Sequence, residues 1–72
     1  VAWGPDQRIY AGGEDGQLYR IGLDDRSCDV VARVPGGFLL GLAHDSDGNV
    51  YACDDRHACV HRITPRGDVS VY

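Results

Sequence analysis

Short apolar or alternating runs, broken every few residues by Gly, Asp, Asn or Pro, make up the whole chain. Residues 8–13 alternate around Ile9 and Tyr10, and β-branched and aromatic side chains of this kind suit strands. Residues 17–23 place Leu18, Arg20 and Gly22 on one face and Gln17, Tyr19, Ile21 and Leu23 on the other. Residues 28–34 send Val30, Ala32 and Val34 one way. The apolar run 38–44 predicts a strand buried on both faces. Residues 49–54, 60–63 and 68–72 read as three further strands. Turn signals fall at 14–16, 24–27, 35–37, 45–48, 55–57 and 64–67. No helical period competes, so the pattern predicts an all-β meander.

The pattern also repeats. Val1–Ala11 and Leu40–Ala52 share one order: apolar strand, polar turn, then Ile9-Tyr10-Ala11 or Val50-Tyr51-Ala52. Further on, Leu18-Tyr19-Arg20-Ile21 recurs as Val60-His61-Arg62-Ile63, with one extra residue in the intervening turn, where an insertion costs least. Four short strands recurring at roughly 40 residues is the period of a β-propeller blade, a four-stranded antiparallel meander. The reading is a partial propeller: 1–34 as most of one blade and 35–72 as the next. Closed propellers need roughly 4–8 blades. The chain is therefore expected to be an internal piece of a longer one, completed by the remaining blades of its parent or by other copies.

Composition narrows the function classes. Seventy-two residues allow one small domain, and 43% apolar content argues for a folded segment over a disordered one. A net charge of −4 leaves no electrostatic footprint for nucleic acid. No window approaches the ~20 apolar residues of a membrane span. Three cysteines, an odd number, argue against a disulfide framework. Cys53 and Cys59 could still face each other across the turn between them, but reduced thiols are the favoured reading. A cytoplasmic setting is slightly favoured.

Leu40-Gly41-Leu42-Ala43, the turn and strand Asp45-Ser46-Asp47-Gly48-Asn49-Val50-Tyr51, and Val60-His61-Arg62-Ile63-Thr64-Pro65 resemble blades of the senescence-marker-protein/gluconolactonase superfamily. Leu40-Gly41-Leu42 is most similar to its strictosidine-synthase-like branch. The resemblance runs the length of the chain, although the Asp-x-Asp-Gly-Asn turn is shared with other propellers, including those of the NHL-repeat type. It implies a six-bladed propeller and, for the lactonase members, a divalent metal, often calcium, in the central channel. Those members carry Asn or Asp directly before the Gly-Leu pair of an inner strand. Here that position is Leu40, which has no oxygen for a hard cation. The counterpart in the first blade lies ahead of Val1. The segment itself is thus expected to hold no metal, and calcium in the parent would need ligands from elsewhere.

Other constellations have plain readings beside them. Asp45-Ser46-Asp47-Gly48-Asn49 opens like an EF-hand loop, but Val50 stands where Gly is required and Arg56 where a chelating Glu belongs. A hairpin turn is the better account. Cys53, His57, Cys59 and His61 form a run with zinc-ligand residue types, and 57, 59 and 61 could share one face. The run lacks a C-x2-C knuckle, and His61 aligns with Tyr19, an ordinary strand position. His44, aligned with Trp3, reads as packing.

Glu14 and Asp15, and Asp54, Arg56 and His57, occupy equivalent loops on the face where the resembled superfamily binds substrate. Solvated turns are the plain reading; as functional side chains they would contact a small-molecule substrate. The resemblance implies, for the parent, a metal-dependent lactone or ester hydrolase. The alternatives are a non-catalytic NHL-type binding or scaffold propeller, and a strictosidine-synthase-like protein without the lactonase metal ligands.

Overall fold

Wherever the alternation is regular the chain is extended, and wherever Gly, Asp or Pro interrupts it the chain reverses. The computed structural model describes residues 1–72 and contains eight strands and no helix. These are β1 (Ala2–Trp3), β2 (Ile9–Gly12), β3 (Gln17–Ile21), β4 (Cys28–Arg33), β5 (Leu39–His44), β6 (Val50–Asp54), β7 (Cys59–Ile63) and β8 (Val69–Val71). They form two four-stranded antiparallel sheets, β1-β2-β3-β4 and β5-β6-β7-β8, each in sequence order.

The core lies between the sheets. Tyr10, Leu18, Ala32 and Val34 come from the first, and Leu39, Val50, Ala52 and Ile63 from the second. Fully burying a side chain such as Leu18 or Ile63 stabilises by about 1.5–3 kcal/mol, so these few residues dominate the contact. The sheets come close at Gly12, where a Cβ would collide with the backbone carbonyl of Leu39. Only glycine fits there.

The sheets stack with the same side forward. Directly paired residues share a face. In the second sheet the pairs Val50–Ile63 and Ala52–His61 turn toward the first sheet. Their repeat equivalents, Ile9–Ile21 and Ala11–Tyr19, sit on the far side of the first sheet, which presents Tyr10 and Leu18 instead. One face of each sheet type therefore remains uncovered. Val1, Trp3, Leu23 and Val30 are exposed on the first sheet, and Leu40 and Tyr72 on the second, where Val69 and Val71 are also exposed because they sit on the edge strand, beside Ile63 and His61 on the inner face.

Two bulges correct the simple alternation. Leu18 pairs with Ala32 but Tyr19 with Val30, so Val31 is the extra residue; it packs on the core while Val30 turns outward. Leu39 pairs with Asp54 and Leu42 with Ala52, leaving Leu40 and Gly41 opposite Cys53. Leu40, Gly41 and Ala43 are exposed, so residues 38–44 are not buried on both faces. A two-sheet stack covers that strand from one side only. Trp3 is likewise exposed rather than packed, because nothing covers its side of β1.

At one end of the sheets, two turns are held by an aspartate and a tyrosine. Asp45 accepts hydrogen bonds from the N–H groups of Asp47 and Asn49 (3.0 Å each), from Asn49 Nδ2 and from the Tyr51 hydroxyl. In the earlier turn Asp6 accepts from Arg8 N–H and, at 2.7 Å, from the Tyr10 hydroxyl. The Asp45–Gly48 segment is thus a self-capped hairpin turn, its carboxylate committed inward. Gly48 has φ +86°, and its equivalent is Gln7 at +66°. A side chain is strained there. Gln7→Gly is expected to stabilise the protein by about 0.5–1 kcal/mol, measurable as a raised midpoint in thermal or urea unfolding.

The uncovered faces predict that residues 1–72 expressed alone self-associate. Sedimentation should show mass rising with concentration. A sharp, concentration-independent unfolding transition of a monomer would contradict this.

Candidate functional site

At the other end of the stack, the β6–β7 hairpin closes around one carboxylate. Asp54 is the last residue of β6, Cys59 the first of β7, and the two are directly paired; Ala52 pairs with His61 two positions in. Side chains two apart on a strand share a face. Asp54, Cys59 and His61 therefore all point toward the first sheet, at the polar end of a face that begins with Val50 and Ile63.

Asp54 is 2% exposed and spends both oxygens on donors. Oδ1 accepts the backbone N–H groups of Phe38, Arg56 and His57, each at 3.1 Å. Oδ2 meets His57 Nδ1 at 2.5 Å and His61 Nε2 at 2.8 Å. Burial by itself pushes this carboxyl up. The hydrogen bonds from His57, Phe38 N–H and His61 outweigh it and hold the group far below the usual carboxylate range. An ionised carboxylate only accepts, so His57 carries its proton on Nδ1 and His61 on Nε2.

The two histidines differ in what remains free. The His57 side chain is 45% exposed, and its Nε2 lies over Gly36, where an added Cβ would sit 3.7 Å away. His61 is buried, and its Nδ1 has no partner. The Cys59 sulfur lies 3.5 Å from His61 Nε2. The ligand atoms of Asp54, Cys59 and His61 all fall within 4.8 Å of one another.

The link between the sheets is pinned from both sides. Leu39 N–H donates to the Gly13 carbonyl, and Asp55 N–H donates to the Phe38 carbonyl. This places the 13–16 and 54–58 turns at the same end of the molecule. Of the loop residues singled out in the sequence, Asp54 and His57 come together, while Arg56 lays its guanidinium 5.7 Å from the Phe38 ring centre. Glu14 and Asp15 stay exposed in their own turn, where Asp15 N–H donates to Gln17 Oε1. Sheet 1 has no counterpart of the cluster: Gly13, Gln17 and Tyr19 stand where Asp54, Cys59 and His61 do.

Cys53 does not join in. It pairs with Val60 on the opposite face from Cys59, so the two cysteines cannot bridge the hairpin, and all three cysteines are free. His44 packs edge-on to Tyr10, ring centres 4.6 Å apart. The signal missed in the sequence is the hairpin register. Pairing Asp54 with Cys59 puts His61 beside them, whereas His61 alone looks like another strand residue.

Comparison with protein-family models, with curated proteins and with solved structures found no match. What the arrangement can do rests on its own geometry. A half-exposed imidazole is fixed in one tautomer by a buried, ionised carboxylate, beside a buried histidine in contact with a partly exposed cysteine.

Acidification should unfold the protein in two stages. Burial pushes His44 below its ordinary 6.5, against the opposing pull of Asp6 and Asp45. Its folded state binds fewer protons than the unfolded one, so stability is lost as pH falls below about 6.5. Asp54, held below its ordinary 3.8, contributes stability present above about pH 4 and lost beneath it. Thermal melts from pH 8 to pH 3 should show both steps, and His44→Phe should remove the upper one.

Proposed function

We propose that the chain supplies two consecutive blades of a gluconolactonase-like propeller, and that Asp54 and His57 form a general-base pair for hydrolysis of a lactone or ester. The blade reading is supported by the repeat and by the same-side-forward stacking. An interface that joins unlike faces can be repeated until the ring closes. The hydrolase reading is carried by one observation: His57 is anchored through Nδ1 to a buried carboxylate while its side chain stays 45% exposed.

In this mechanism His57 Nε2 takes a proton from water as the water oxygen bonds to the substrate carbonyl carbon. The tetrahedral adduct then collapses with cleavage of the acyl C–O bond, and His57 returns the proton to the leaving alkoxide. Asp54 fixes the tautomer and stabilises the imidazolium that forms between the two steps. Arg56, beside the same turn, is positioned to attract a carboxylate or other acidic group on the substrate.

The calcium implied by the resemblance does not fit these residues. Leu40, at the family's ligand position, offers hydrocarbon and is turned to solvent. No step is assigned to it.

A binding propeller without chemistry is the second reading. It is favoured by the load on Asp54 Oδ1, whose three backbone donors are what a residue framing the loops would hold. Turnover of γ- and δ-lactones and aryl esters by the protein, before and after His57→Ala, separates the two. General-base catalysis is worth about 10²–10⁴-fold. The variant should lose about 10²-fold or more in kcat with its circular dichroism unchanged, and added imidazole should restore part of it. No turnover of any of these substrates, or full activity in the variant, would leave the binding reading standing.

A further inference from the structure

We infer that Asp54, Cys59 and His61 form a site for a borderline-soft divalent cation, with zinc as the chemical type. This does not depend on the hydrolase reading. The three ligand atoms come from directly paired strands and share one face, within 4.8 Å of one another. Tetrahedral zinc with bonds of about 2.0–2.3 Å sets its ligands roughly 3.3–3.8 Å apart. Cys59 Sγ and His61 Nε2 are already 3.5 Å apart, and His61 Nε2 and Asp54 Oδ2 would open slightly from 2.8 Å.

The donor set selects the metal. A thiolate, an imidazole and one carboxylate oxygen suit zinc, whereas calcium and magnesium require oxygen throughout. Bound as thiolate and carboxylate, Cys59 and Asp54 bring two negative charges to a dication in a largely buried place. Loading would displace the Cys59 thiol proton and shift the His61 proton from Nε2 to Nδ1, so binding releases one net proton, from the thiol. Three protein ligands leave the fourth position open. His57 lies outside the triad and keeps its bond to Asp54 Oδ2 as a support for that carboxylate.

Two features say that the trio is more than framework. The first sheet closes the equivalent hairpin, one residue shorter in its turn, with Gln17 and Tyr19 where Cys59 and His61 stand, so pairing these strands does not demand a thiol and an imidazole beside one another. His61 is 6% exposed with Nδ1 unpartnered, so the only polar contacts that orient its ring are on the Nε2 edge, where Asp54 and Cys59 converge.

The test uses the reduced protein, stripped with chelator and titrated with zinc or cobalt(II). One metal per chain should bind, and cobalt should give tetrahedral visible bands with a thiolate-to-metal charge-transfer band. Cys59→Ala should abolish the charge-transfer band and weaken zinc binding by at least about 10-fold; Cys53→Ala and His57→Ala should keep the charge-transfer band and one metal per chain. Cys59 is partly exposed, so its truncation leaves the fold readable by circular dichroism. Absence of saturable binding, or a charge-transfer band that survives Cys59→Ala, would overturn the site. Either result leaves the lactone and ester assays to be judged on their own.

Discussion

A buried carboxylate with five donors around it ties the link that enters the second sheet to that sheet's central hairpin. Asp54 reaches the link between the sheets through Phe38, its own turn through Arg56 and His57, and the next strand through His61. Burying such a charge without partners would be prohibitive, and its cost is met here because every lone-pair direction finds an N–H. The donors are equally dependent on it. Removing the carboxylate would leave the Phe38 and His57 amides and a buried imidazole unpaired together. Loop position, hairpin closure and ring orientation are therefore one cooperative unit rather than three separate features.

That unit explains why chemistry-bearing side chains collect at one end of the molecule. The opposite end is closed by Asp6 and Asp45, each tied to a tyrosine hydroxyl across its own turn. Those aspartates spend their hydrogen bonds within their own turns. Asp54 differs because the bulge at Leu40 and Gly41 lets β5 start beside it, bringing the Phe38 amide within reach. A turn residue in sequence becomes, in space, the anchor of the link between the sheets. The half-exposed His57 and the buried His61 then meet the same carboxylate oxygen, with Cys59 beside His61.

The stacking has its own consequence. Because equivalent residues face the same way in both sheets, the contact does not satisfy itself, unlike a two-fold pairing of identical faces. The face of Tyr51, Cys53 and Val60 on one side and that of Ile9, Ala11 and Tyr19 on the other lie outside this contact. Gly12 shows how closely a covering sheet sits.

Much of this was legible along the chain. Alternation and turn residues determined an all-β meander, the repeat determined two similar four-stranded units, and the hydropathy determined that no helix is long and apolar enough to cross a membrane, because each depends only on neighbours in sequence. Asp54 and His57 were visible as a polar turn. What only the tertiary structure decided was pairing across strands. Two stacked sheets cover 38–44 from one side only, so Leu40 is exposed instead of buried, and the unbroken β6–β7 register turns Cys53 and Cys59 to opposite faces, which excludes a bridge between them. The same register brought His61 to Asp54, and the stacking left Trp3 in solvent while burying Leu18. Local pattern fixes that a residue is in a strand; register and stacking fix what it meets, because those are set by contacts between residues far apart in the chain.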